Sequence, residues 1–173
     1  MSKSCFKYVR VPYRLRDLIL PRNDILKEAG VKPGLRVLDY GCGRGSYALP
    51  AARLVAEAGK VYALDMNPVS VRKVQSVAEK NHLTNLETIV SDCATGLPSE
   101  SIDVVLLYDT LHQLVKADAA LKEMHRVLRL SGVLSLSDHH LKESEIVSKV
   151  TGSGLFSLFT KGKRTYSFSK NPR

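Results

Sequence analysis

The sequence contains no tryptophan and only three cysteines in 173 residues, Cys5, Cys42 and Cys93. Their number is odd, their spacing is wide and no C-x-x-C occurs, which argues against a disulfide framework and a thiolate zinc site. A reducing cytoplasm is the expected compartment. No run approaches the ~20 apolar residues of a membrane helix, and the first ten residues lack the apolar segment of a secretory signal. Acids are scarce beside bases, 17 against 26, giving a net charge of +9. The imbalance sits at the two ends. Residues 1–36 hold nine Lys/Arg against three Asp/Glu and residues 142–173 seven against two, whereas 37–141 hold ten against twelve. Basic flanks around a near-neutral body attract an anionic substrate or RNA. No Arg-rich run interleaved with aromatics occurs, so an ordinary solvated basic surface is the simpler reading.

What is present is a chain of one-domain length, 44% hydrophobic and 25% charged, with enough apolar residues for a sizeable core. Its patterns alternate. Short apolar strands are expected at 35–39, 60–65, 86–90, 101–108 and 133–137. Helices are expected at 46–58, 68–81 and 117–130, with a weaker one at 141–150. Helical periodicity also covers 13–29, broken at Pro21, capped at Asn23-Asp24 and stopped at Gly30. His125 is expected on the outer face of its helix. The nearly unbroken apolar run 102–107 suits a strand buried on both faces of a parallel sheet. Segments 155–160 and 164–169 flank Lys161-Gly162-Lys163 as an antiparallel hairpin. The expected fold is α/β and doubly wound: a mostly parallel seven-stranded sheet, helices on both faces and an antiparallel C-terminal hairpin. One domain spans 1–173, with 1–21 as an N-terminal arm and helix and 22–173 as the core.

The chemistry centres on Val37-Leu38-Asp39-Tyr40-Gly41-Cys42-Gly43-Arg44-Gly45. A strand ends in an acid, three alternating glycines follow, and a helix begins. Such a loop opens a nucleotide site beside a helix N-terminus. The spacing is G-x-G-x-G, unlike the G-x-G-x-x-G dinucleotide fingerprint, and no Lys-Ser/Thr follows as a P-loop requires. Asp39 would repel a pyrophosphate, so the loop suits a ligand with a cationic group. Asp65 ends the second strand twenty residues after Gly45. A carboxylate there accepts two hydrogen bonds and matches a vicinal diol. A capping aspartate is the alternative, but Asn67-Pro68 supplies its own cap.

Asp39-x-Gly41-x-Gly43-x-Gly45 resembles the first motif of the class I, Rossmann-like methyltransferases that use S-adenosylmethionine. The resemblance covers roughly 22–170 and includes Arg126 to Asp138, similar to the family's stretch through its fifth strand. It implies that Asp39 and the backbone of Tyr40, Gly41, Cys42, Gly43 and Gly45 hold the methionine end of the cofactor. Asp65 then binds the ribose diol, Met66 covers the adenine, Asp92 accepts from the adenine amino group, and the Cys93 amide meets a ring nitrogen. Tyr108 offers a backbone carbonyl near the ammonium. The implied reaction is in-line transfer of methyl from a sulfonium, with no metal required. Cys42 and Cys93 read better as small loop residues than as nucleophiles.

Open α/β sheets place their sites at the carboxyl ends of the strands. Asp109 and His112 follow the fourth strand, and Asp138, His139 and His140 follow the fifth. Any general base comes from this set, with His112, Asp138 and His139 as the catalytic candidates. An extended His139-His140 pair points its rings apart. The place of an Asn-Pro-Pro-Tyr motif is taken by Tyr108-Asp109-Thr110-Leu111, and the overall pattern is closest to the small-molecule branch, quinone-type enzymes included. A small-molecule acceptor is therefore expected, with its pocket built from 1–21, from 138–154 or from a partner subunit. An RNA methyltransferase using the basic ends and a cofactor-binding subunit without turnover stand as alternatives, and a homo-oligomer is left open.

Overall fold

The computed structural model describes residues 22–172. The arm and helix expected over 1–21 lie outside the described residues. Along the chain run α1 (Arg22–Glu28), β1 (Arg36–Tyr40), α2 (Ala48–Val55), β2 (Lys60–Asp65), α3 (Pro68–Lys80), β3 (Leu86–Val90) and β4 (Ile102–Tyr108). A 3-10 turn (Leu111–Gln113), α4 (Ala117–Val127), β5 (Leu128–Ser137), α5 (Glu143–Thr151), β6 (Phe156–Lys161) and β7 (Tyr166–Lys170) complete it. The seven strands form one sheet in the order β3-β2-β1-β4-β5-β7-β6. β1 to β5 pair in parallel, and β7 lies antiparallel between β5 and β6.

Strand alternation sorts the core into two layers. Val37, Val61, Ala63, Val104 and Leu106 face α1, α2 and α3 through Leu26, Ala51, Ala52, Val55 and Val74. Leu38, Leu64, Val105 and Leu107 face the other way, onto Leu121, Met124, Val127, Phe156 and Phe168. Each fully buried side chain of this size stabilises the fold by about 1.5–3 kcal/mol. Asp39 has the parity of Val37, so it points into the α2 layer and is buried there among apolar side chains.

Four local expectations are corrected. Asn23 and Asp24 do not cap α1, which already runs at Arg22; Asp24 instead places an acid in the first turn, where the helix dipole favours it. α4 stops at Val127 rather than reaching Leu130, because Leu128 pairs with Ile102 and Val133 with Val104, leaving 129–132 as a bulge. Sheet pairing overrides the helical periodicity there. His125 is 3% exposed, not superficial: its Nε2–H donates to the Asn171 carbonyl at 2.9 Å, and Phe156 meets its ring edge-on. α2 is shorter than expected, ending at Val55; Asn85 Nδ2 donates to the carbonyls of Ala52 and Ala56 and closes its C-terminus.

α1 is tied to the β6–β7 turn by one carboxylate. Glu28 Oε1 accepts from Arg164 N–H (3.0 Å), Thr165 N–H (2.8 Å) and Thr165 Oγ1 (2.7 Å). Burial pushes its pKa up, but these donors outweigh it and the net shift is downward. A Cβ on Gly162 would overlap the Glu28 carboxylate, so glycine is required for this close approach.

Candidate functional site

The loop after β1 is stitched to β2 by backbone. Gly41 N–H and Cys42 N–H both donate to the Leu64 carbonyl at 2.8 Å. Gly43 N–H donates to Asp65 Oδ2 at 2.8 Å, and Asp65 Oδ1 accepts from Asn67 N–H at 2.8 Å. Two glycines are needed for distinct reasons. Gly41 has φ +84°, and a Cβ there would lie 2.5 Å from Thr110 Oγ1; Gly43 has φ +51°, and its Cβ would project into open space. The second is the face a ligand can approach. Beneath the loop Asp39 is 2% exposed, and its Oδ2 is buried with no hydrogen-bond partner. Burial drives its pKa up to about 7, and the Asp65 charge adds to this; the Ala48 backbone donor and Arg22 oppose. A buried carboxylate oxygen without a partner can accept a hydrogen bond from a cationic donor.

The neighbouring sheet end gathers imidazoles and carboxylates. Asp109 follows β4 with φ +50° and accepts through Oδ1 from His139 N–H (3.1 Å) and His139 Nδ1 (2.6 Å). Asp138 follows β5. Its Oδ2 accepts from His112 N–H (3.1 Å) and Nδ1 (2.9 Å), and its Oδ1 from His140 N–H (3.0 Å). Burial raises the Asp138 pKa, but these hydrogen bonds, His112's ring first, lower it further, so the carboxyl stays ionised. Bonded through Nδ1–H, His112 keeps its Nε2 lone pair, which Gln113 Nε2 reaches at 3.0 Å. The His140 ring packs on that of His112 with centroids 4.2 Å apart. A cavity of about 310 Å³ lies beside them, walled by Ile25, Tyr47, Ser137, Asp138, Leu141 and Tyr166 among others. Tyr47 belongs to the entry of α2 and meets Tyr108 edge-on at 4.6 Å, joining this cavity to the glycine-loop side.

A family model described as a methyltransferase domain matches residues 31–167. The chain belongs to the methyltransferase domain family. Its seven-stranded sheet has the class I, Rossmann-like methyltransferase fold. The domain is 28% identical over 153 residues to the ubiquinone/menaquinone biosynthesis C-methyltransferase UbiE of Shewanella pealeana, covering 83% of this chain and 61% of that protein. Over 74 residues it is 39% identical to the aklanonic acid methyltransferase DauC of a Streptomyces species, covering 42% of this chain and 34% of the other. The chain thus spans less than two thirds of these relatives' length. Among solved structures, a SAM-dependent methyltransferase from Aquifex aeolicus superposes with a TM-score of 0.76 at 24% identity, covering 93% of this chain and 98% of that one. Among the described residues no helix is long and apolar enough to cross a membrane.

The methyltransferase domain brings Asp39, Gly41, Cys42, Gly43, Gly45 and Asp65 together around one loop, as the motif demands. Met66 stands beside it 71% exposed, and Asp92 is exposed at the end of β3. The Cys93 amide donates to Ser91 Oγ at 3.2 Å, and the Tyr108 carbonyl accepts from Thr110 Oγ1 at 2.9 Å. Burial holds the Cys42 thiol neutral, its pKa pushed up, with the charges of Asp39 and Asp65 adding to the effect. His139 lines the cavity with its ring bonded to Asp109, whereas His112 and His140 gather at Asp138 behind that wall. Tyr40 matters through more than its backbone: its hydroxyl donates to the Cys93 carbonyl at 3.1 Å and pins the loop after β3. Thr110 and Tyr47 carry no sequence signal, since a lone hydroxyl or ring gains meaning only once β1 and β4 are adjacent. The segment 138–154 does line the cavity, but the β6–β7 turn does so too, unannounced by the sequence.

Proposed function

We propose that this domain binds S-adenosylmethionine at the β1–β2–β3 side and methylates a small organic molecule held in the cavity at the ends of β5 and β7. The observation that carries the reading is Asp39 Oδ2, buried and unpartnered beneath a glycine loop that leaves its Gly43 face open. A carboxylate in that state fits the cofactor's ammonium and would not fit a phosphate. Asp65 is held in place by two backbone donors, and each oxygen has a further lone pair for a ribose hydroxyl. Met66, Asp92 and the Cys93 backbone border the remaining space, where the adenine would lie.

When bound, the cofactor supplies a methyl group on an activated sulfonium leaving group. This chain's residues supply position: cofactor and acceptor are held on adjoining strand ends, and such alignment removes much of the barrier. Where the acceptor must lose a proton, Asp138 fixes the His112 tautomer, and Nε2 serves as the base once the Gln113 amide gives up its hydrogen bond. The activities named for the relatives support a small-molecule acceptor, and a cavity of about 310 Å³ matches one. Cys42 and Cys93 are free thiols, in keeping with a reducing cytoplasm.

Calorimetry with S-adenosylhomocysteine tests the reading. Saturable one-to-one binding that Asp39→Asn abolishes is expected. Absence of binding to the wild type would remove the proposal, and binding without methyl transfer to any fraction of a small-metabolite extract would leave a binding subunit instead.

A further inference from the structure

The cavity beside Asp138 is more basic than its neighbourhood requires. Arg22 of α1 and Lys163 and Arg164 of the β6–β7 turn line it, over an apolar floor of Ile25, Leu141 and Ile146. The one acid among the described lining residues is not available to them: the Asp138 side chain has no exposed surface, and its oxygens are taken by His112 and His140. Arg22 lies over the Tyr47 ring at 5.2 Å and acts on Asp39. The hairpin's other cations are paired, Lys161 with Glu143 and Lys170 with Glu100. Lys163 and Arg164 differ, in that neither side chain forms an ion pair with a described residue. Glu28, the carboxylate nearest their turn, is engaged by backbone N–H groups and the Thr165 hydroxyl rather than by either side chain. The hairpin therefore presents two adjacent positive charges, on a turn fixed from behind, to an apolar-floored space of about 310 Å³. That volume is at the small end of ligand pockets, which run from ~300 to ~1,000 Å³.

From this arrangement we propose that the methyl acceptor is a small organic anion. It carries one carboxylate or phosphate group on an apolar body of one or two rings. The inference rests on the reading of this cavity as the acceptor site. Lys163 and Arg164 receive the anionic group, the guanidinium fork taking two of its oxygens. Ile25, Leu141 and Ile146 pack against the body, and the end opposite the anion faces Asp138 and the cofactor. An uncharged molecule of the same shape would leave both cations without a partner, so the pocket selects against it.

The test titrates the S-adenosylhomocysteine-loaded protein with matched probes: benzoate against benzamide, 1-naphthoate against 1-naphthamide, and phenyl phosphate against phenol. At least one anion should bind ten times or more tightly than its uncharged partner, and its binding should weaken with salt. Whether a carboxylate or the phosphate binds best assigns the head group. The double variant Lys163→Gln/Arg164→Gln should erase the preference while leaving S-adenosylhomocysteine affinity and melting temperature unchanged, since the N–H groups that hold Glu28 remain. The proposal is overturned by equal binding of charged and uncharged probes, by a preference that survives the double variant, or by failure of every anion to bind loaded protein. Failure of S-adenosylhomocysteine itself to bind is a different result, and it removes the cofactor reading beneath.

Discussion

Asp39→Asn separates the needs of the ligand from those of the fold. With the Asp39 carboxyl raised from 3.8 to about 7, the folded protein without cofactor holds a proton there that the unfolded chain releases near pH 4. A raised carboxyl destabilises the fold as pH rises, from about pH 4 until the full penalty is reached above pH 7. At 1.36 kcal/mol per unit the gap corresponds to about 4 kcal/mol. An asparagine carries no charge to desolvate but leaves its own N–H unpaired, at about 1–3 kcal/mol. The variant should therefore be more stable than wild type by about 1–3 kcal/mol at pH 8, and equal or weaker at pH 4. Thermal melts would read this as a rise of roughly 2–10 °C at pH 8 alone. Calorimetry supplies the other half. Wild-type affinity for S-adenosylhomocysteine should climb about tenfold from pH 6 to pH 8 as Asp39 ionises, with proton release at the lower pH. The variant should bind at least about 100-fold more weakly at pH 8, with no such climb, because a buried charge partner has been removed. Parallel melts at both pH values, or a variant that binds like wild type, would refute the assignment.

The two loop glycines should respond differently. Gly41→Ala meets Thr110 as well as a left-handed backbone, so it should lower the melting temperature more than Gly43→Ala, and Thr110→Ala should rescue part of the loss. Gly43→Val should leave most of the stability and lose cofactor binding; calorimetry beside a melt separates the two. Asp138→Asn should lower kcat about 100-fold on a proton-bearing acceptor, with cofactor affinity unchanged, and the pH dependence of kcat should shift; an unchanged profile would remove His112 as base. Away from the site, Glu123 is held down to about 2, chiefly by the Arg126 guanidinium and then by Thr95, against burial. Its stabilisation is present above about pH 4.5 and lost as pH falls toward 2. Glu123→Gln should thus cost about 1–2 kcal/mol in urea at pH 7 and nothing near pH 2, a figure reduced for partial exposure.

Most of the sheet was legible because its strands are short apolar runs bounded by glycine, proline or acid. β2 and β3 fall where the pattern puts them, and β4 within one residue. The glycine loop was legible because its backbone form is encoded within nine consecutive residues. The failures share a cause in contacts between distant segments. Leu128 looks helical until Ile102 offers it a ladder. His125 looks exposed until Phe156 and Asn171 cover it. The cavity's basic wall was hidden because Tyr166 stands opposite Leu136 only through antiparallel insertion of β7, which brings Lys163 and Arg164 over the end of β5. A pairing of Asp138 with His112 rather than His139 is a matter of 3-10 geometry after β4, which no period in the sequence announces.

Glu28 gives the hairpin turn an anchor 136 residues away in the chain. Because that one carboxylate accepts from three donors at once, α1 and the turn are tied together at a single point. On the proposed reading, a shift of α1 would reach Lys163 and Arg164, the residues assigned to the acceptor's anionic group. If that reading holds, acceptor preference would be open to change through Glu28 alone, at a distance from every residue assigned to the methyl donor.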